Sequence, residues 1–316
     1  MPNIEPTPEP LRFEAADGYT IGGSLWRHHE PSPCPRAVVI INPATSVRSR
    51  YYARFAAFLF ASGFDVLTYD YRGIGESRPA TLRRLDAGWL DWGCLDFEAA
   101  LRYVDRTFQG RPIHVVAHSI GGVLVGVAES NHLIQRVFTM GAQYAYWRDY
   151  AAGQRLRMVA KWHVAMPLVT AAFGYFPGKR LGWLEDTPRG VVRDWASSRE
   201  RFEEIRRGRG APSLSKAALQ QRFAALTAPI LAVSVTDDAF GTIAAIERPL
   251  AYFEQSPRTH LRIAPDSVGE QTIGHFGFFH SRFEPTLWQI PLSWLRSGEI
   301  ASAPTGIVIS TRPGRP

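Results

Sequence analysis

The segment Val115-Val-Ala-His-Ser-Ile-Gly-Gly122 holds the residues whose types and order could do chemistry. An apolar, β-branched run ends at Ala117, and a small-residue helix is expected over 121–128. Ser119 therefore falls in a tight strand-to-helix turn, the setting of a nucleophile elbow. Such a turn strains the backbone of its central residue, and strand and helix approach closely only if the neighbours are small. Ala117 before Ser119, and Gly121 and Gly122 after it, meet that demand. A helix N-terminus behind the serine offers free N–H groups and a positive dipole end to a developing oxyanion. A serine hydroxyl is a weak nucleophile, so this chemistry requires a base brought in from elsewhere in the chain.

The elements around this turn follow from periodicity. Residues 11–15 and 19–26 read as strands joined at Asp17-Gly18, a strong hairpin pair. Short continuous apolar runs at 37–41, 64–69, 112–117 and 134–140 have the character of strands buried on both faces. Between them lie helical patterns, one carrying Tyr52, Phe55 and Leu59 and closed by Gly63, the other carrying Phe97, Leu101, Val104 and Phe108. Alternating strand and helix implies parallel strands joined by right-handed crossovers. The rhythm stops between 144 and 226 and resumes with strands at 229–235 and 260–264 and helices at 241–253 and 285–295. The expected architecture is α/β: a mostly parallel sheet flanked by helices, opened by an antiparallel hairpin. Its core spans 11–143 and 227–298, a lid or cap insertion spans 144–226, and loose tails occupy 1–10 and 299–316.

On these residues the chain resembles the α/β-hydrolase superfamily, in its Ser-Asp-His branch. Asp70-Tyr-Arg-Gly-Ile-Gly-Glu-Ser77 matches a loop motif of that family, and the segments AHSIGG, DYRGIGES, GYFPGKRLGW and GHFGFF resemble a bacterial group of predicted α/β-hydrolases of undefined substrate. The resemblance runs from about residue 11 to about residue 296. It implies that Ser119 is the nucleophile, that Asp238 in Thr236-Asp-Asp238 is the acid, and that His275 in Ile273-Gly-His275 is the base. Ile41-Asn-Pro-Ala44 stands where the family has its oxyanion loop, often His-Gly. Pro43 has no N–H, so the backbone donors expected are Ala44 and Ile120. The implied chemistry is acyl transfer through an acyl-enzyme, with His275 moving the Ser119 proton and Asp238 fixing the imidazole tautomer. The substrate expected is a carboxylic ester or thioester of a small, moderately hydrophobic molecule.

Several of these residues have rivals in the sequence. His280 rivals His275 but sits in an aromatic run, and Asp237 rivals Asp238 as the acid. His118 should face away from the nucleophile as a satisfied buried histidine. Asp70 and Arg72 read as a structural pair fixing their loop, and Cys94 as a core residue. The aromatics of 144–226, among them Trp162, Trp183 and Trp195, suit either a lid over an apolar pocket or a small core of their own. Two further functions use the same residues: acyl transfer to an acceptor other than water, and non-catalytic ligand binding in the same pocket.

Composition narrows the field. The chain has 316 residues, of which 45% are hydrophobic and 21% charged, which excludes disorder as its main state. Two cysteines, Cys34 and Cys94, exclude a disulfide scaffold. The net charge of +7 is carried by dispersed arginines without a basic stripe or reader motif, so no nucleic-acid partner is expected. No residues show metal-ligand or nucleotide-loop spacing, so neither a cofactor nor a metal is expected. No membrane span or secretory signal is read, and a cytoplasmic location is expected. The oligomeric state is left open.

Overall fold

A computed structural model describes residues 7–30, 35–206, 208, 212–300 and 306–314; Cys34 lies outside them. The hairpin forms as its turn pair dictates. β1 (Glu9–Glu14) and β2 (Thr20–Trp26) pair antiparallel, with Gly18 at φ +79° in the turn. The strand reaches back to Glu9 and Pro10, which the sequence placed in a loose tail. As an edge strand, β1 can accept a proline because no ladder bond is lost on its open side.

β3 (Val38–Asn42), β4 (Asp65–Tyr69), β5 (Ile113–His118), β6 (Ile134–Met140), β7 (Ile230–Val235) and β8 (Arg258–Ile263) make the parallel body of the sheet. With a ninth strand, β9 (Ile307–Arg312), the order across it is β1-β2-β4-β3-β5-β6-β7-β8-β9. β3, β4, β5 and β7 are buried along their whole length, as continuous apolar runs require. One face packs against Trp89, Trp92, Phe97, Leu101 and Val104; the other packs against Tyr52, Phe55, Leu59, Phe279 and Trp288.

Two readings are corrected. Residues 299–316 were expected as a tail, yet Ile307–Arg312 forms β9, antiparallel to β8. The run Ile-Val-Ile-Ser-Thr is rich in β-branched residues and suits an edge strand, but its Pro/Gly/Ser/Thr-rich surroundings mask it. Asp70 and Arg72 do not pair with each other. Arg72 is held by Asp96 (Nε to Oδ1, 2.6 Å) and Asp17 (2.6 Å). Asp70 instead accepts the N–H groups of Ser49 (2.6 Å) and Glu76 (2.8 Å). Both residues fix the 70–77 loop, as expected, but through different partners.

Between β6 and β7 the chain is mostly helical, with helices at Arg155–Val159, Met166–Phe173, Arg189–Ala196 and Lys216–Ala225. Trp162 stacks on Trp195 (ring centroids 5.0 Å apart) and meets Trp183 edge-on at 5.7 Å. Trp162 and Trp195 are buried and continue the core cluster that covers Val115 and Val137 on one face of the sheet.

Candidate active site

Ser119 links the end of β5 to the helix Ile120–Leu124, with φ 54° and ψ −126°. A non-glycine residue in this region is strained, and the strain persists only because the surroundings enforce it. Those surroundings are visible. The Ser119 N–H donates to the Met140 carbonyl of β6 at 2.9 Å. A Cβ on Gly121 would lie 2.6 Å from the Asn42 carbonyl oxygen and 2.8 Å from that of Pro43. A Cβ on Gly122 would lie 2.6 Å from the Ala142 Cβ. The helix thus touches the loop after β3 and the end of β6 directly, which only glycine allows.

Asp238 and His275 meet on the other side of β6. The His275 Nδ1 to Asp238 Oδ2 distance is 2.6 Å, and Asp238 is buried. The other Asp238 oxygen accepts the Phe240 N–H at 2.8 Å. Burial pushes the Asp238 carboxyl up, but the neighbouring His275 and the Gly241 and Phe240 N–H groups outweigh it and hold the group below its ordinary value. Gly141, directly after β6, stands against both groups: a Cβ there would lie 3.2 Å from the His275 ring and 3.3 Å from Asp238 Oδ2. Ser119, bonded to Met140, and the His275–Asp238 pair therefore flank the same two residues at the C-terminal end of the sheet. Substrates of open α/β sheets bind in that region.

The rivals are elsewhere engaged. Asp237 accepts the N–H groups of Ile273 (2.8 Å) and Gly274 (2.9 Å), shaping the turn that carries His275. His280 is exposed and packs edge-on against Tyr51 at 6.0 Å. Cys94 is half-buried, its sulfur 3.4 Å from an Arg222 guanidinium nitrogen. Among the described residues, no group of three or more His, Cys, Asp or Glu could hold a metal ion.

His118 is buried and wired to both ends of the site. Its Nε2 lies 2.8 Å from the His275 carbonyl, and its Nδ1 lies 2.8 Å from the Tyr52 hydroxyl. A carbonyl only accepts, so Nε2 carries the proton and Nδ1 accepts from the Tyr52 O–H. The Tyr52 oxygen in turn accepts the Ala44 N–H at 2.9 Å. One relay therefore joins the loop after β3 to the backbone of His275. It also engages the Ala44 N–H, so that group can serve an oxyanion only by sharing or exchanging its bond to Tyr52. Ile120 opens its helix and has no preceding turn to supply a carbonyl for its N–H. Asn42 stands where the family often has histidine. Its amide donates to the Gly121 carbonyl (3.3 Å) and accepts from the Tyr69 hydroxyl (2.9 Å), tying β3 to the elbow helix.

Burial, with the nearby His275 adding to it, pushes the His118 imidazole down to about 3. The unfolded chain binds a proton there near the ordinary value of about 6.5. The stabilisation from a neutral His118 is thus complete above that value and is lost as pH falls toward about 3. We expect the His118 ring signals in NMR to stay those of the neutral Nε2–H tautomer from pH 7 to pH 4; titration near 6.5 would contradict the relay.

Gln143 is a residue that the sequence reading missed. It is buried three residues past β6, and its amide nitrogen lies 3.3 Å from the Ser119 Oγ. Its amide oxygen accepts the Ala145 N–H. Its place just beyond the C-terminal end of a central strand was the available signal. Phe240 and Phe276 flank His275 with ring centroids 5.0 and 5.1 Å away. Ser119 is only 5% exposed. A groove of about 1300 Å³ lies instead between the hairpin and the Ala53–Ala61 helix, lined by Arg12, Trp26 and Arg54 among others, and none of Ser119, Asp238 or His275 borders it.

Comparison with known proteins agrees with this fold. Residues 33–263 match the family described as serine aminopeptidase, S33. No curated protein matches the chain in sequence. Among solved structures, a puromycin-hydrolyzing peptidase of Mycobacterium tuberculosis superposes with a TM-score of 0.57 at 13% identity, over 92% of this chain. This chain spans only 39% of that protein's length. An esterase of Pyrococcus furiosus gives a TM-score of 0.55 at 10% identity, covering 93% of this chain and 91% of the esterase. The esterase domain of a Rhodothermus marinus protein gives 0.53 at 14% identity, covering 92% and 98%. At these identities the structures speak for the fold, while the sequence family is carried by the match over 33–263. The chain belongs to the serine aminopeptidase S33 family of α/β-hydrolases.

Proposed function

We propose that the protein hydrolyses a carboxylic ester or thioester of a small, moderately hydrophobic molecule through an acyl-enzyme on Ser119. The observation that carries this reading is the strained Ser119 turn, set across Met140 and Gly141 from a buried, hydrogen-bonded His275–Asp238 pair. In this mechanism His275 takes the Ser119 proton as Oγ bonds to the acyl carbon. The resulting oxyanion is met by the N–H group of Ile120 and by that of Ala44 as it shares or exchanges its bond to Tyr52. His275 then protonates the leaving alcohol or thiol as the acyl bond to it breaks. Water attacks the acyl-enzyme with His275 as base, and the acid and the free Ser119 hydroxyl are regenerated. Asp238 keeps the imidazole in the tautomer whose Nε2 can accept. Gln143 holds the Ser119 hydroxyl through its side-chain amide.

Apolar rings support an apolar acyl group: Phe240 and Phe276 stand beside His275, and the aromatic core of 144–226 reaches Phe240 through Trp162 (6.1 Å). In this reading residues 144–226 act as a lid over the site. The family name and the puromycin-hydrolyzing neighbour raise cleavage of aminoacyl amides. Such a substrate needs a carboxylate for its ammonium group, and Asp149, which borders one small cavity with Gln143 and Phe240, is already bound by Arg248 at 2.5 and 2.9 Å. The small exposure of Ser119 also suits transfer to an alcohol or amine in place of water.

A panel of p-nitrophenyl esters and thioesters of increasing acyl length, with aminoacyl p-nitroanilides alongside, tests the proposal. We expect turnover of medium acyl esters that exceeds that of acetate by roughly tenfold or more, about the gain from two buried methylenes. Turnover confined to the anilides would replace the ester reading by the peptidase one. Adding an alcohol or amine acceptor reports transfer.

A further inference from the structure

The helical stretch 155–173 is apolar on two opposite faces. It consists of helices Arg155–Val159 and Met166–Phe173 joined by a π-helical turn at Ala160–Ala165. Met158, Trp162, Met166 and Thr170, each four residues apart, are buried against the protein. Leu156, Ala160, Val164 and Leu168 follow the same spacing on the other side and face solvent, with Leu156 84% and Leu168 68% exposed. Phe173, Leu181 and Trp147 are further exposed apolar side chains of residues 144–226. A helix that buries one apolar stripe and leaves a second one exposed to water calls for something apolar to cover the second.

Charge identifies what covers it. Residues 150–184 contain Arg155, Arg157, Lys161, Lys179 and Arg180 and no aspartate or glutamate; Lys179 is neutralised by Glu185 just beyond (3.1 Å), which leaves Arg155, Arg157, Lys161 and Arg180 as the cations of the stretch. Arg157 and Arg180 are exposed, and the Lys161 ammonium sits over the rings of Trp162 and Trp183 at 4.5 and 4.3 Å. An apolar stripe rimmed by cations is the pattern of a helix lying in a membrane interface. A second copy of the chain would fit poorly, because a two-fold contact sets the same patch against itself and opposes like charges. The stretch is roughly 28 Å long, enough for a sizeable contact parallel to a surface. Among the described residues, no helix is long and apolar enough to cross a membrane.

We propose that this face docks the protein on an anionic lipid surface, with Leu156, Val164 and Leu168 entering the headgroup boundary and Arg157 and Arg180 meeting acidic headgroups. The docked face lies directly behind Trp162, which reaches His275 through Phe240, so an apolar substrate held in a bilayer would meet the protein on the side of its candidate site. The docking does not depend on the ester reading, and it is tested without turnover.

The test is sedimentation of the full chain with vesicles of phosphatidylcholine alone, or of equal parts phosphatidylcholine and phosphatidylglycerol. We expect binding to the anionic vesicles, weak or no binding to the neutral ones, and release at high salt. The double variant Leu156→Ser, Leu168→Ser should weaken partition by roughly tenfold or more. Arg157→Gln with Arg180→Gln should weaken it by roughly fivefold per cation. All four side chains are exposed, so melting curves of both variants should match the wild type and separate loss of docking from loss of fold. Failure of the wild type to sediment with anionic vesicles overturns the proposal, as does binding that neither variant changes. So does a dimer, seen by sedimentation velocity and dispersed by the leucine variant, in a protein that ignores vesicles.

Discussion

Ser119→Ala should lower kcat on the best ester of the panel by roughly 10⁴–10⁶-fold while leaving the protein folded. The size follows from what remains. Without the hydroxyl no acyl-enzyme can form, and only binding and the backbone donors continue to act, which in serine hydrolases retain a small residue of catalysis. The fold should tolerate the change for a local reason. Alanine at φ 54° meets the same backbone strain as serine, and the Ser119 N–H keeps its bond to Met140. The one partner lost is the hydroxyl that Gln143 holds at 3.3 Å. A single neutral bond of that kind is worth about 1 kcal/mol. Steady-state kinetics beside a melting curve separate the two quantities. A large drop in stability would mean that Ser119 is a structural serine in a tight turn.

Asp238→Asn should cost roughly 10⁴-fold in kcat, by reversing a tautomer. The Phe240 N–H donates to Asp238 Oδ1 at 2.8 Å and fixes that position as an acceptor. In the asparagine variant the amide oxygen must therefore face Phe240, and the amide NH₂ must face His275. His275 Nδ1 then accepts where it had donated, its proton moves to Nε2, and the nitrogen that should take the Ser119 proton is already protonated. The geometry of the site changes little, so KM should move far less than kcat. NMR of the His275 ring checks the cause: the variant should carry its proton on Nε2 and the wild type on Nδ1. An active variant with the wild-type tautomer would remove Asp238 from the mechanism and return Asp237 to consideration.

The sequence made part of this site legible because the elbow is contiguous. Val115 to Gly122 contains the strand, the turn and the close-packed glycines in one stretch, and the contacts of Gly121 with the Asn42 and Pro43 carbonyls are what such glycines are for. Asp238 and His275 were reached only through family resemblance, since nothing in local spacing brings two residues 37 apart in sequence to 2.6 Å. What stayed hidden is made by folding alone. Gln143 meets Ser119 because β6 lies beside β5, and the Tyr52–His118 relay joins a helix after β3 to the end of β5. The bond from Ala44 to Tyr52 belongs with these: the missing N–H of Pro43 points to Ala44, but only the folded loop shows that its N–H already has an acceptor. The same limit applies to the fold. The parallel body followed from apolar runs, whereas β9 and the Arg72–Asp96 pair depend on neighbours distant in the chain.

The most direct test of an activated Ser119 is labelling with a fluorophosphonate, read by intact mass on folded wild type, Ser119→Ala and Asp238→Asn. The phosphonyl group should add once to the wild type with loss of fluoride, much more slowly to Asp238→Asn, and not at all to Ser119→Ala. An adduct that persists in Ser119→Ala, or a folded wild type that no fluorophosphonate or smaller sulfonyl fluoride modifies, would contradict the account.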